Sequence, residues 1–366
     1  MSGSRWALFA SMAIACGGSR EGEPAHVTPP GAPVAGSCKP SAAADIEVSS
    51  NDLNGFPPYA TSGCSLVYVS RAGALVLRDL ATGVETTIAD ASAAPRRPAI
   101  SGDVIAWEAG SSAGPAVFVR AGGVVQKIEG PAIATEPRVS GSAVVFTGWP
   151  PAPADDADVW IYDATTRQAR MIVGGPGQQR FADVSSRWVV ASDFSEDPDG
   201  RYDGSGNDLS DIVVFDRASG AITHRRAPGK QAFPILVDGD RLAYLHWGEV
   251  HPEPKLVEYV LKSGGVVADP VADRTIATVT YTSREHVRPA ASGGMLEWVA
   301  NPDGHTTLHR APADGSSPPV KAAGLDGLTL FAPAPTSFAD GTGFTVVAAV
   351  PAGAAGRIPS LRAVDR

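Results

Sequence analysis

Charged residues are scarce in this chain of 366 residues, and basic residues are scarcer than acidic ones. Asp, Glu, Lys and Arg together make up 19 % of the chain, and 39 acidic residues against 30 basic ones give a formal net charge of −9. The basic footprint typical of nucleic-acid binding is absent, so we expect no nucleic-acid partner. The acidic balance favours cations or cationic partners.

Segments with the sequence pattern of an α-helix are also scarce. The chain contains 40 glycines and 31 prolines, both unfavourable inside helices, and no segment after residue 16 shows a convincing helical period. The composition therefore argues against an all-helical fold. The hydrophobic fraction of 43 % supplies a large core, which excludes wholesale disorder.

The apolar run at the start of the chain is too short to span a bilayer. It covers Trp6 to Ala15, whereas a membrane-spanning helix needs about 20 residues. Ala13-Ile14-Ala15-Cys16 resembles a bacterial lipobox, although Ala13 stands where that pattern usually has Leu. The resemblance implies that residues 1–15 are a lipoprotein signal peptide and that Cys16 is the lipidation site. The alternative is an ordinary secretory signal cleaved nearby, with Cys16 incidental.

Residues 16–44 are rich in Gly, Pro and Ala, which is typical of a flexible tether. Gly17 follows Cys16, and in lipoproteins of this kind the absence of Asp there implies the outer membrane. We therefore predict a lipid-anchored protein of the bacterial cell envelope, attached to the membrane by its anchor alone. Of the three cysteines, Cys38 and Cys64 remain, and an even pair in an exported protein usually forms a disulfide. The alternative is two free thiols.

A strand–turn–strand phrase recurs along the chain. Pro98–Trp107 and Pro137–Phe146 share a Ser-Gly turn between two apolar strands, and degenerate copies occur on both sides. The turn positions that align are Gly63, Gly102, Gly141, Ser186, Gly239, Gly293 and Gly341. Their steps of 39 to 54 residues, with several short strands in each unit, indicate a β-propeller.

Each unit carries a second signature further on, clearest in Asp158–Arg167 and Asp211–Gly220. Together the two phrases resemble the repeats of TolB-like propellers, over about residues 58 to 350. The chain departs from TolB itself in carrying a tether where TolB carries an α/β domain. The resemblance implies the fold and says little about function.

We predict an all-β propeller domain over residues 45–366, with seven four-stranded blades; six blades is the alternative. The last repeat is one strand short, and an open sheet edge invites unwanted pairing. Asp45–Ser49 alternates as a strand, so we expect it to supply the outer strand of the last blade.

The variable loops of the repeats are expected on one face of the propeller. They cover residues 148–157, 192–210, 246–254 and 300–304, and sites are commonly built on such loops. One of them is strongly acidic and Gly-rich, which suits Ca²⁺, a cation that prefers oxygen ligands. The candidate ligands are Asp193, Asp197, Asp199, Asp203, Asp208 and Asp211. The alternative is a solvated acidic loop without a metal.

Two functions from different classes remain. The first is a non-enzymatic binding or scaffold module for an envelope protein or glycan. The second is an envelope polysaccharide lyase or hydrolase with a metal-dependent site at the propeller channel, built on His246, Glu249 and His251. No other catalytic motif is convincing, so we assign no catalytic residue and no cofactor besides Ca²⁺. Fold alone does not choose between the two, because propellers serve both functions.

Overall fold

The computed structural model describes residues 38–50, 53, 56–111, 114–151, 155–202, 209–247, 257–281, 288–300, 306–338, 342–353 and 358–366. These residues form seven antiparallel sheets arranged as the blades of a propeller. Three short 3-10 helices, at Pro40–Ala43, Ala91–Ala93 and Pro270–Ala272, are the helical elements of this part of the chain. None of the helices there is long and apolar enough to cross a membrane.

The first four blades follow one another in chain order. Their strands are β1 (Tyr59–Ser62), β2 (Ser65–Val69), β3 (Leu75–Asp79), β4 (Glu85–Ala89), β5 (Arg96–Ser101), β6 (Val104–Ser111), β7 (Gly114–Ala121), β8 (Val124–Lys127), β9 (Ile133–Ser140), β10 (Ala143–Trp149), β11 (Asp158–Asp163), β12 (Gln168–Val173), β13 (Gln179–Val184), β14 (Trp188–Asp193), β15 (Asp211–Asp216) and β16 (Ile222–Arg225).

The last three blades repeat the same order. Their strands are β17 (Lys230–Asp238), β18 (Arg241–Trp247), β19 (Val257–Gly265), β20 (Arg274–Tyr281), β21 (Ala290–Ser292), β22 (Met295–Ala300), β23 (Thr307–Pro312), β24 (Val320–Lys321), β25 (Leu328–Ser337), β26 (Gly343–Pro351) and β27 (Ser360–Asp365). The prediction of an all-β propeller with seven blades is confirmed, and the six-bladed alternative is excluded.

The segment before blade 1 completes blade 7. Asp45 N donates to Leu361 O at 3.0 Å, Leu361 N donates to Ile46 O at 2.9 Å, and Val48 N donates to Pro359 O at 3.0 Å. Residues 45–48 therefore act as the outer strand of the last sheet, as the alternation of that segment predicts. We call them the closing strand.

The packed part of the chain begins before the expected boundary at residue 45. Cys38 and Cys64 are joined by a disulfide, and Lys39 N donates to Leu80 O at 3.1 Å. Ala43 is fully buried in the core shared by blades 1 and 7. Residues 38–44, assigned to the tether from composition, thus lie against blade 1 because the disulfide holds them there.

The repeated Ser-Gly turns connect neighbouring blades. The Ser62 hydroxyl accepts a hydrogen bond from Gly102 N, and the Ser101 hydroxyl accepts one from Gly141 N, both at 3.0 Å. Thr336 plays the same part for Gly63 N, also at 3.0 Å, across the junction of blades 7 and 1. The serine of the phrase thus stabilises the ring, while the glycine takes the left-handed backbone of the turn (φ +59° at Gly102).

Apolar side chains fill the space between blades. One core combines residues of β10 and β11 with residues of β13 to β15, and it includes the fully buried Val145. Val190 of β14 is also fully buried, but it belongs to a different core on the other side of the blade 4 sheet. Side chains on successive residues of these middle strands point to opposite faces, so each strand contacts both neighbouring blades. This is why the middle strands are apolar without strict alternation.

Candidate binding site at the channel mouth

The inner strands of four consecutive blades share a bulge near their first residues. Arg97, Glu136, Phe181 and Phe233 occupy equivalent positions and all have left-handed backbones, with φ between +50° and +60°. The pairing register of each inner strand with its neighbour shifts at this point. Strained positions held by non-glycine residues often mark functional sites.

The bulged backbone is held by polar side chains from the preceding blade. Glu108, which is fully buried in β6, accepts a hydrogen bond from Glu136 N at 2.6 Å. Ser192, also buried, accepts one from Phe233 N at 3.1 Å. Because these partners come from the neighbouring blade, the bulges depend on the assembled ring.

The bulges bring cations and aromatic rings together around the central channel. The Phe56 ring lies among three of the cations, with the guanidinium carbons of Arg97, Arg138 and Arg288 at 4.9, 5.3 and 5.3 Å from the ring centroid. Phe181 stacks on Phe56 with centroids 6.1 Å apart. We call these residues, with Glu136 and Phe233, the channel mouth.

A second aromatic group lies beside the channel mouth. The Arg180 guanidinium carbon is 5.2 Å from the Trp149 ring centroid, 4.7 Å from that of Phe181 and 5.3 Å from that of Tyr202. We call Trp149, Arg180 and Tyr202 the aromatic rim. Trp149 ends β10 and Tyr202 follows β14, so the aromatic rim lies on the face that carries the strand-two to strand-three loops.

Buried ion pairs set the electrostatics of the site. Glu136 pairs with Arg180, and Glu108 pairs with Arg96 and Arg97. Burial pushes the pKa of Glu136 upward, but Arg180 and Arg97 outweigh it and hold that pKa below its usual value. Glu136 is therefore a stable anion at neutral pH.

Burial disfavours the charged forms of the groups next to this ion pair. Burial, together with the Arg138 charge, lowers the pKa of Arg288 to about 9, and burial also lowers the pKa of Arg138. Burial likewise raises the pKa of Asp183, the carboxylate beside them. Arg97, Arg138, Arg180 and Arg288 nevertheless form a local cluster of cations in a protein whose net charge is −9.

The structure places four of the six predicted calcium ligands. Asp193 Oδ1 accepts from Gln179 Nε2 at 3.2 Å and from Ser195 N at 3.1 Å, and its Oδ2 lies 3.1 Å from His224 Nδ1. Asp211 is the cross-strand neighbour of Asp193 and contacts Gln231 and Arg226.

The other two described ligands bond to their own loop. Asp197 accepts from Asp199 N and Leu209 N, and Asp199 accepts from Arg201 N. Asp203 and Asp208 lie outside the described residues. Within the described ranges no group of three His, Cys, Asp or Glu residues is placed to hold a metal. The calcium site stays a prediction.

Of the three residues predicted for the alternative enzyme site, His246 is the one that the structure describes. His246 Nε2 lies 3.0 Å from Pro228 O, and burial lowers the pKa of this histidine. Glu249 and His251 lie outside the described residues, as does the predicted lipidation site Cys16. The enzyme alternative stays a prediction.

The sequence reasoning missed the channel mouth. Arg97, Glu136, Phe233 and Arg288 each stand immediately before a proline of the repeated phrase, at Pro98, Pro137, Pro234 and Pro289. The charged or aromatic residue before each of these prolines was the sequence signal that could have indicated a site. Hydrophobicity patterns describe the apolar strands and carry no information on which side chains meet at the ring centre.

The fold and the site together define a seven-bladed propeller with an arginine-rich channel mouth. No known family model matches the sequence, and no curated protein matches it. Solved structures do resemble the fold. The β-propeller domain of the Trilobed protease from Pyrococcus furiosus is 12 % identical, with a TM-score of 0.60 over 87 % of this chain and 95 % of that domain.

Two other solved structures show a similar propeller within a longer chain. The Pyrococcus horikoshii acylaminoacyl peptidase is 13 % identical, with a TM-score of 0.59 over 88 % of this chain and 53 % of that protein. TolB from Acinetobacter baumannii is 14 % identical, with a TM-score of 0.44 over 74 % of this chain and 61 % of TolB. This chain therefore spans about half of the peptidase and about three-fifths of TolB. At these identities the likeness concerns the fold alone.

Proposed function

We propose that this chain is a lipid-anchored propeller of the bacterial cell envelope that binds a partner at its channel mouth without catalysing a reaction. The observation that carries the binding role is the aromatic rim. Tryptophan, tyrosine and arginine dominate the binding energy of protein interfaces, and here one of each lies within a single cluster. A cluster of this composition suits a protein partner.

The rigidity of the site supports the same proposal. Arg180 is held by its ion pair with Glu136, which is itself hydrogen-bonded by Thr147 at 2.8 Å. Side chains already fixed in place lose little conformational entropy when a partner binds. A preformed rim of this kind suits recognition, and it requires no metal or cofactor.

Photo-crosslinking in cells tests the binding role. A photoreactive amino acid at position 149 or 202 should give a discrete adduct with a partner protein. The matched control is position 187 on the opposite face, where the Arg187 guanidinium lies 4.3 Å from the Trp188 ring centroid and resembles the rim chemically. Equal adducts from both faces, or adducts at position 187 alone, would contradict the proposal.

The predicted membrane anchoring is tested separately. Labelled palmitate should enter the wild-type protein, and Cys16→Ser should abolish both the labelling and the membrane association. An unlabelled wild-type protein in the soluble fraction would refute the lipid anchor while leaving the binding role intact.

A further inference from the structure

One position of the inner strands carries charge in only two neighbouring blades. This position lies two residues after the bulge in blades 2 to 5. It and its equivalents are Ala60, Ala99, Ala290 and Ala334 in blades 1, 2, 6 and 7, and Ile235 in blade 5. Blades 3 and 4 have Arg138 and Asp183 at the same position. These two side chains and Arg288 line a cavity of about 170 Å³ in the channel, whose other lining residues are mostly Ala, Pro, Ile and Leu.

Arg288 has hydrogen-bond donors to spare in this cavity. Arg288 is only 3 % exposed; its Nη2 donates to Phe181 O at 2.7 Å and to Pro234 O at 3.2 Å. Its Nε and Nη1 find no acceptor among the described residues. Arg138 lines the same cavity, and its guanidinium carbon lies 5.3 Å from the Phe56 ring centroid. Buried N–H groups without acceptors are unusual in folded proteins.

The described lining of the cavity also carries more positive than negative charge. Asp183 is the one carboxylate among these described residues, and its Oδ2 already accepts from Leu236 N at 2.7 Å. Among the other described acids nearby, Glu136 is paired with Arg180 and Glu108 with Arg96 and Arg97. The Glu136 charge also favours the charged forms of Arg138 and Arg288, but its ion pair is with Arg180. Two guanidinium groups and one carboxylate are therefore the charged groups of the described lining, and the buried charge of Arg288 is costly unless it is paired.

We propose that this cavity binds a carboxylate group between Arg138 and Arg288. A planar carboxylate matches the fork of N–H donors on a guanidinium group, and such charge-assisted bonds are strong. Asp183 repels multiply charged anions, which selects a monoanion over phosphate. At roughly 30 Å³ per water molecule, the volume equals about six waters, enough for a carboxylate with a few carbon atoms.

The carboxylate has two possible sources, a small free acid or the C-terminus of an extended peptide within the channel. The inference deepens the proposed function, since it names the chemical group that the channel takes from a ligand. The two can fail separately, because a partner can bind the aromatic rim from outside without entering the cavity.

Calorimetric titration of the full-length chain in detergent tests the inference. The ligands are acetate, propionate, and one short peptide prepared with a free and with an amidated C-terminus. Binding of the small acids alone assigns the first source, and binding of the free peptide with loss on amidation assigns the second. Absence of heat with all carboxylates overturns the inference, as does equal binding of chloride or phosphate.

Two substitutions with opposite expected effects strengthen the test. Arg138→Gln should weaken carboxylate binding by at least about tenfold, the effect of losing one charge-assisted hydrogen bond. Asp183→Asn removes the competing anion and should tighten binding. Arg170→Gln, at an exposed arginine that contacts Phe215 outside the channel, is the matched control and should bind like the wild type. Unchanged affinity in both channel variants contradicts the inference.

Discussion

At the scale of single residues, Asp211 gives the fold a defined response to pH. Burial, with Glu196 and Asp193 adding to it, raises the pKa of this carboxyl to about 6 although Arg226 opposes the shift. A raised pKa means that the folded state binds the proton more tightly than the unfolded state does, so this group stabilises the fold at low pH. That contribution is lost as the pH rises from about 4 through 6.

Asp211→Asn should therefore gain stability relative to the wild type as the pH rises from 4 to 7, as measured by melting temperature across that range. Asp216→Asn is the control of opposite sign. Backbone hydrogen bonds, first from Ala218, lower the pKa of Asp216, so its stabilisation is present at neutral pH and lost in acid. If both variants showed the same pH dependence, the assignment of the two carboxyls would be wrong.

The serine under the blade 5 bulge gives a second residue-scale prediction. Ser192→Ala leaves Phe233 N buried without its acceptor, which should lower the free energy of unfolding by about 1–3 kcal/mol in urea denaturation. Ser219→Ala is the matched control, because Ser219 accepts a bond from Ala221 N in an exposed turn and should cost much less. Equal losses would show that the bulge does not depend on this bond.

At the scale of elements, the N-terminal segment is held to blade 1 by Cys38 and Cys64. Intact-mass analysis after alkylation without reductant should find both sulfurs unmodified. Their separation of 26 residues predicts that Cys38→Ser with Cys64→Ser lowers the free energy of unfolding by about 3–4 kcal/mol. Two alkylated thiols in the native protein would contradict the disulfide.

The acidic loop between β14 and β15 carries the calcium prediction. Millimolar Ca²⁺ should raise the melting temperature by offsetting carboxylate repulsion, and replacing Asp197, Asp199 and Asp203 with Asn should remove the effect. Mg²⁺ at equal concentration controls for ionic strength. If Ca²⁺ leaves the melting temperature and the proteolysis of this loop unchanged, the loop is a solvated acidic segment.

At the scale of the whole molecule, the sequence could predict the ring but not its centre. The Ser-Gly phrase marks a local turn, and a local turn can be recognised each time it repeats along a chain, so the seven blades could be predicted from it. The closing strand could be predicted because the last repeat lacks a strand and Asp45–Ser49 alternates as one. The channel mouth forms only when residues before Pro98, Pro137 and Pro289 converge from different blades. Net charge was misleading for the same reason, because it averages over the surface and hides a local cluster of arginines.

Closure of the ring gives the last prediction. Tyr59 OH donates to Ala332 O at 2.5 Å and accepts from Ala348 N at 2.8 Å, so side chains already join blades 1 and 7. The closing strand adds the backbone bonds that cover the outer edge of β27. A chain that begins at residue 50, with Cys64→Ser, should expose that edge and self-associate, because unpaired strand edges recruit other strands. Light scattering after size-exclusion chromatography measures this self-association.

The control chain begins at residue 38 with both cysteines replaced by serine; it keeps the closing strand and should remain monomeric. If both chains stayed monomeric with the same melting temperature, the bonds made by residues 45–48 would not be what closes the ring.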